Sequence, residues 1–403
     1  MRLGPPIPTL RRMDALMDNY ARFPVRLARG QGSRVWDDQG RVYLDFVSGI
    51  AVNTLGHAHP RLADALCNQA RRLIHCSNLY RIPEQEQLAS KLATLSGLER
   101  TFFCNSGAEA NEAAIKLARK YYHDMGSRRR TVITATQSFH GRTLLTLTAT
   151  GQEKVKRGFD PLPAGFVHVP LNDAEVLERS IGSDTAAILL EPIQGEGGVH
   201  EASISYLHHV RRLCDENGIL MVLDEVQTGI GRTGHMFAYE RFGIRPDILT
   251  LAKGLGGGVP IGCMLAREQV ASAFGPGSHG STFGGNPLSC RAALTVLDAI
   301  EQEDLLRNVQ DRGQQLMQGL KALARRFPCV REIRGQGLLV GMELDRDVAR
   351  LIELARGHGL LVLSAGAQVL RLLPPLNVSE REIDEAVAIL DAALSRFTEE
   401  EQE

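Results

Sequence analysis

Lys253 lies in the run DILTLAKGLGGGVPIG, and Asp224 lies twenty-nine residues earlier in LMVLDEVQTGIGRTG. An apolar stretch precedes each, residues 248–252 before the lysine and 219–223 before the aspartate. Both stretches predict sheet strands, so both side chains would stand at carboxyl ends of strands, where open α/β sheets bind ligands. An amine there can form a Schiff base with an aldehyde. A carboxylate there can keep a pyridine nitrogen protonated, so that the ring accepts electrons. That pair is what pyridoxal phosphate (PLP) chemistry asks of its protein. Taken alone, a lysine and an aspartate at strand ends are more often surface loop residues, so the case rests on their surroundings.

Five further segments have the chemistry to complete such a site. In Asn105-Ser106-Gly107-Ala108-Glu109, Ser106 is placed to cap a helix and Glu109 to close a capping box. The same helix start offers free N–H groups to a phosphate, and Gly107 and Ala108 are small enough to let it approach. In Ser138-Phe139-His140-Gly141-Arg142, Phe139 can stack on a flat ring and Arg142 can grip a carboxylate. Glu191 and Glu196 share a glycine-rich loop that reads equally as a structural turn or an acid–base pair. Ser281-Thr282 could add a phosphate hydroxyl, and Arg371, in the apolar LRLLPPL, needs a carboxylate or a ligand if buried. The run Gly229–Gly234 matches GxGxxG, but it follows its strand at a distance and opens no strong helix, so a dinucleotide site is rejected. The glycines at 254–258 lack the ending of a P-loop and would let the backbone pack closely beside a ligand.

The elements that must position these residues alternate. Apolar runs at 101–104, 131–135, 166–169, 186–190, 219–223, 248–252 and 261–266 are separated in several places by amphipathic stretches. That pattern predicts an α/β fold with a mostly parallel seven-stranded sheet covered on both faces. Residues 61–290 would form this large domain. Residues 291–403, with helices at 305–327, 345–358 and 380–397 and short strands at 337–344, 360–363 and 368–373, read as a smaller α+β domain. The first sixty residues would join it, through a hairpin turning at Asp38-Gln39-Gly40.

Composition removes several other classes. The formal net charge of the 403 residues is −1, and the only basic tract is Arg128–Arg130, so neither nucleic acid nor an anionic membrane is an expected partner. Pro5, Pro6 and Pro8 interrupt the N-terminus, which has no apolar signal core, and no apolar run is long enough to span a bilayer. The seven scattered cysteines read as reduced thiols of a cytoplasmic protein. His57 with His59, and His208 with His209, lack the company of a metal site.

Taken in order, the motifs resemble the class-III aminotransferases, PLP enzymes of fold type I that act on ω-amines. The resemblance runs from NYARFPV through NSGAEANEAAIK, FHGRT, LLEPIQGEGGV, TLAKGLGGGVPIG and HGSTFGGNP to VLRLLPPLNVS, nearly the whole chain. It implies that Lys253 is the Schiff-base lysine, Asp224 the partner of the ring nitrogen and Gln227 that of the phenolic oxygen. Val226 and Phe139 would sandwich the ring. Gly107 and Ala108 would hold the phosphate through their backbone, with Thr282 of the partner subunit, which makes the protein a homodimer. Relatives often carry a hydroxyl at the position of Ala108, so one side-chain contact is missing here. Arg142, with Ser281 of the partner subunit, would take the remote α-carboxylate of an ω-amino substrate. Arg371, masked by Glu196 meanwhile, would take that of glutamate. The implied reaction is ping-pong transfer from N2-acetyl-L-ornithine to 2-oxoglutarate, giving the semialdehyde and glutamate. Succinylornithine, ornithine and 4-aminobutyrate stay open as substrates, as do mutase, racemase and decarboxylase chemistries on the same fold.

Overall fold

A strand covered on both faces needs apolar side chains at every position, not at alternate ones. Thr131–Ala135, Thr185–Leu190, Leu220–Asp224, Ile248–Leu251 and Gly262–Ala266 are buried at every residue in the computed structural model, which describes residues 15–400. They belong to one seven-stranded sheet. Its spatial order is Arg100–Cys104, Gly262–Ala266, Ile248–Leu251, Leu220–Asp224, Thr185–Leu190, Thr131–Ala135, Phe166–Val169. Neighbours run parallel except at Gly262–Ala266, which is antiparallel to both of its own. All seven apolar runs read from the sequence are strands of this sheet.

Two helices show how the chain leaves these strands. Helix Gly107–Asp124 buries Ala110, Ala113, Ala114, Leu117 and Ala118 of the face that the 3.6-residue spacing predicts, while Tyr121, expected with them, is half-buried and Asn111, Ile115 and Tyr122 are buried as well. Ser106 caps it by accepting from the Glu109 N–H at 3.2 Å. The reciprocal bond of the expected capping box is displaced by one residue, because the Glu109 carboxylate accepts from the N–H of Asn105. Helix Ile204–Asn217 starts at Ser203, whose hydroxyl accepts from Tyr206 N, and stops at Gly218, whose left-handed conformation lets the Gly218 and Ile219 N–H groups donate to the last carbonyls.

Two four-stranded sheets lie outside this one. The first orders Leu27–Gln31, Arg34–Asp37, Val42–Asp45 and Leu360–Leu361, so a strand from late in the chain completes the N-terminal hairpin. The second orders Val330–Gln336, Leu339–Leu344, Val369–Leu372 and Leu363–Ser364. The single strand expected at 360–363 is thus two, one in each sheet, split at Val362. The strand Val330–Gln336 escaped the sequence reading because VREIRGQ is half-exposed and charged, without an apolar alternation. Helices Leu305–Arg326, Ala349–Gly357 and Glu380–Glu399 accompany this sheet. The last begins with a true capping box between Ser379 and Glu382. No helix among the described residues is long and apolar enough to cross a membrane. The proline-rich opening segment, with Pro5, Pro6 and Pro8, lies outside the described residues.

Candidate active site

A cavity of about 400 Å³ opens at the carboxyl ends of the central strands. Lys253 and Asp224 both line it, as do Gly107, Ala108, Phe139, Arg142, Glu196, Val226 and Gln227. Lys253 starts a short 3₁₀ turn and holds a φ of 42°, a left-handed conformation that a lysine keeps only where its surroundings enforce it. Of the glycines that follow, Gly258 lines the cavity. The others pack tightly on protein rather than on ligand space. A Cβ on Gly254 would fall 2.7 Å from Thr54 Oγ1, and one on Gly257 would fall 2.8 Å from Val296.

Asp224 is held by three donors. Asn111 Nδ2 donates to Oδ2 at 2.7 Å, His140 Nδ1 lies 2.8 Å from the same oxygen, and the Val226 N–H donates to Oδ1 at 3.0 Å. Asn111 is fixed in turn by Thr250 Oγ1, 2.7 Å from its carbonyl oxygen, and by its own bond to the His140 carbonyl. Neither Asn111 nor His140 was singled out by sequence. A signal existed for the first: an asparagine on an otherwise alanine-rich buried helix face needs a polar partner.

Arg371 is 1 % exposed, so its guanidinium needs partners inside the protein. Glu196 supplies both carboxylate oxygens, at 2.7 and 3.2 Å from Nη1 and Nη2. Nη1 also donates to Gly195 O and to Gln227 Oε1. The other end of Gln227 donates to Glu196 Oε1 at 3.1 Å, so its amide is engaged with this ion pair. Lys253 Nζ stands 3.9 Å from Glu196 Oε1. Burial alone would raise the Glu196 carboxyl. The charges of Arg371 and Lys253 and the hydrogen bonds from Arg371 and Gln227 outweigh it and hold the pKa down at about 2. Burial lowers the Lys253 pKa, and Arg371 lowers it further against the pull of Glu196, Asp224 and Glu191.

The two carboxylates of the glycine-rich loop therefore have separate surroundings. Glu191 accepts from the Phe139 N–H at 3.0 Å and is pushed well above the usual carboxylate range by burial and by the charge of Asp224. Phe139 in turn lies under the Arg142 guanidinium, 5.5 Å from ring centroid to carbon. Ser281 and Thr282 do not line this cavity. They lie on a neighbouring depression, where Ser281 Oγ accepts from Asn105 Nδ2 at 3.2 Å and Thr282 is exposed.

These residues fit PLP on their own chemistry. The cavity offers an amine, a firmly held carboxylate, an aromatic ring, a branched side chain and the start of a helix whose first N–H groups have no acceptor within it. Close packing sets the helix start, since a Cβ on Gly107 would fall 2.6 Å from Val226 Cγ1.

With fold and cavity together, the comparison with known proteins is direct. The family model "Aminotransferase class-III" matches residues 16–394, and the chain belongs to that family of PLP-dependent aminotransferases of fold type I. The chain is 54% identical over 384 residues to the acetylornithine aminotransferase of Caldanaerobacter subterraneus subsp. tengcongensis, covering 95% of this chain and 98% of that one. Among solved structures, the N-acetylornithine aminotransferase of Stenotrophomonas maltophilia superposes with a TM-score of 0.82 at 41% identity, covering 94% of this chain and 98% of that one. An ornithine aminotransferase from Toxoplasma gondii, described with partial PLP occupancy at its active site, superposes with a TM-score of 0.93 at 34% identity, covering 96% and 94%.

Proposed function

We propose that this protein transfers the terminal amino group of N2-acetyl-L-ornithine to 2-oxoglutarate, forming N-acetyl-L-glutamate 5-semialdehyde and L-glutamate, in arginine biosynthesis. The observation that carries the reading is the ion pair that buried Arg371 makes with Glu196 beside Lys253, where Glu196, Lys253 and a second arginine, Arg142, line the cavity. The reaction must accept a terminal amine in one half and an α-amine in the other. Two arginines serving one lysine meet that need if one can be neutralised. With Glu196 on Arg371, only Arg142 is free for a carboxylate, which selects a substrate whose carboxylate is remote from its reacting amine. With Glu196 swung away, Arg371 takes the α-carboxylate of glutamate. High identity to acetylornithine aminotransferases selects the substrate within that class.

Lys253, Asp224, Gln227, Val226, Phe139, Gly107 and Ala108 would hold the cofactor. Once bound, it supplies an electron sink for the carbon that bears the amine. Lys253 Nζ takes the proton from that carbon, and its lowered pKa keeps more of it neutral for the task. Asp224, fixed by Asn111 and His140, keeps negative charge beside the ring nitrogen. Such preorganised charge is worth about 3–4 kcal/mol in comparable sites. We assign Ser281 and Thr282 to the cavity of a second copy, giving a homodimer. Support comes from the exposed apolar side chains Leu79, Tyr80 and Phe283 around their loop. The cysteines, all seven unpaired, support a cytoplasmic location.

The test is single-turnover absorbance of the cofactor-loaded protein with N-acetylornithine, N-succinylornithine, ornithine and 4-aminobutyrate. N-acetylornithine should convert the bound cofactor fastest, and 2-oxoglutarate should restore it. A faster conversion by another of these amines overturns the substrate. A Lys253→Ala protein that still turns over overturns the role of the lysine.

A further inference from the structure

The turn that carries Glu196 is seated on the C-terminal sheet by a second arginine. It joins the short strands Ile193–Gln194 and His200–Glu201 and is closed by Val199 N donating to Gln194 O at 2.9 Å. Gly195 O accepts from Arg371 Nη1 at 2.7 Å. At the other end Gly198 O accepts twice from Arg334, from Nε at 2.9 Å and from Nη2 at 2.7 Å. Arg334 Nη1 is paired with Glu332 and Glu343, and Nη2 lies 3.5 Å from His200 Nε2. The guanidinium is thus fixed by its own hairpin while two of its N–H groups meet one carbonyl of the turn.

The sheet register explains why the two arginines act together. Arg334 is opposite Gly341, and Gly341 is opposite Arg371, on three adjacent strands. Residues directly opposite one another point to the same face, so both arginines rise from one face on either side of a residue with no side chain. Val199 occupies the place between them. A Cβ on Gly341 would fall 3.0 Å from Val199 Cβ. Val199 is buried with a φ of 56°, a left-handed conformation costly for a branched residue and held by this seat. Behind the turn, a Cβ on Gly197 would fall 2.3 Å from Gln137 O. The backbone on both sides of Glu196 is therefore gripped, and the side chain is left to move.

We propose that Arg334, with Gly341, is a positioning element for Glu196: it immobilises the turn Gly195–Val199 so that Glu196 leaves and regains Arg371 by rotating its side chain alone. The inference rests on the assignment of Glu196 as the group that masks Arg371. Without Arg334 the turn would lift, and Glu196 would mask Arg371 for less of the time. Glutamate would then be used better relative to the ω-amine.

The experiment compares single-turnover rates with N-acetylornithine and with glutamate, followed by cofactor absorbance, in four proteins: the parent, Arg334→Gln, Glu196→Ala and the double variant. Hydrogen exchange of the turn amides is measured on the same proteins without cofactor. Arg334→Gln should shift the rate ratio toward glutamate by about tenfold, the size of one charge-assisted hydrogen bond. It should also speed exchange at Val199. In the Glu196→Ala background the same substitution should add nothing to the ratio. Gly341→Ala, which crowds Val199 without touching a charge, should shift the ratio in the same direction and serves if Arg334→Gln does not fold. An unchanged ratio in folded Arg334→Gln, or a shift that persists without Glu196, overturns the role of Arg334. A Glu196→Ala protein with the parent's ratio instead removes the masking assignment, and this proposal with it.

Discussion

Glu196 lies between two cations, and its carboxyl is held at about 2 by Arg371 and Lys253 against the opposing effect of burial. A carboxyl lowered on folding contributes stability that is full above its unfolded pKa and lost as pH falls through the folded one. Its window therefore runs from the ordinary carboxylate range down to about 2, below any assay. On the proposed mechanism Lys253 carries the proton in both half-reactions, so its titration would cancel in their ratio. The ratio of the two single-turnover rates should stay flat from about pH 6 to about pH 8. A ratio that bends in this range would show that some other group masks Arg371. The types of these residues were legible in the sequence, because an arginine in an apolar strand demands a carboxylate. Their pairing was not, since the two lie 175 positions apart and meet only through the loop after Thr185–Leu190.

Helix Gly107–Asp124 does two jobs with one turn. Its first residues line the cavity, and Asn111, one turn on, reaches Asp224 on a central strand. The helix itself could be read from its alanine spacing and its Ser106 cap. The clamp could not, because it depends on which strand the helix crosses. The same limit applies to residues 360–364, whose apolar run gave no sign that it would be divided between two sheets. Replacing Asn111 by Leu should remove one charge-assisted bond from Asp224 and leave the Thr250 hydroxyl without its acceptor. That is worth about 1.5–3 kcal/mol. If Asp224 serves both half-reactions as proposed, both should slow by about tenfold or more with their ratio unchanged. A variant that slows only one of them would place Asn111 in substrate selection instead. Arg334→Gln is expected to do the reverse and change the ratio, so the two variants separate a clamp on the ring from a seat for the mask.

Across the whole molecule the central sheet and the C-terminal sheet must hold Lys253 and Arg371 in register, and the joint between them is the run Gly229–Gly234. Its glycines serve packing, which accounts for a GxGxxG pattern with no dinucleotide fold around it. A Cβ on Gly231 would fall 2.9 Å from Leu376, and one on Gly234 2.7 Å from Gln310. Arg232, at the middle of the run, is buried and donates to the carbonyls of Leu338 and Pro374, while its own carbonyl accepts from the Leu338 N–H. Replacing Arg232 by Met keeps much of the volume but leaves two buried carbonyls without that donor, at about 1–3 kcal/mol each. Part of this is returned, because a buried guanidinium is itself costly to desolvate. The net loss should be about 2 kcal/mol, seen as a lower denaturant midpoint of the protein without cofactor. Cofactor binds only the folded state, so saturating PLP should restore stability by mass action in parent and variant alike. If Arg232 acts as a joint, the variant's affinity for PLP should stay within about threefold of the parent, because the contacts of Lys253 and Asp224 are untouched. A variant as stable as its parent would place the joint elsewhere, and one that lost PLP affinity without losing stability would make Arg232 part of the site.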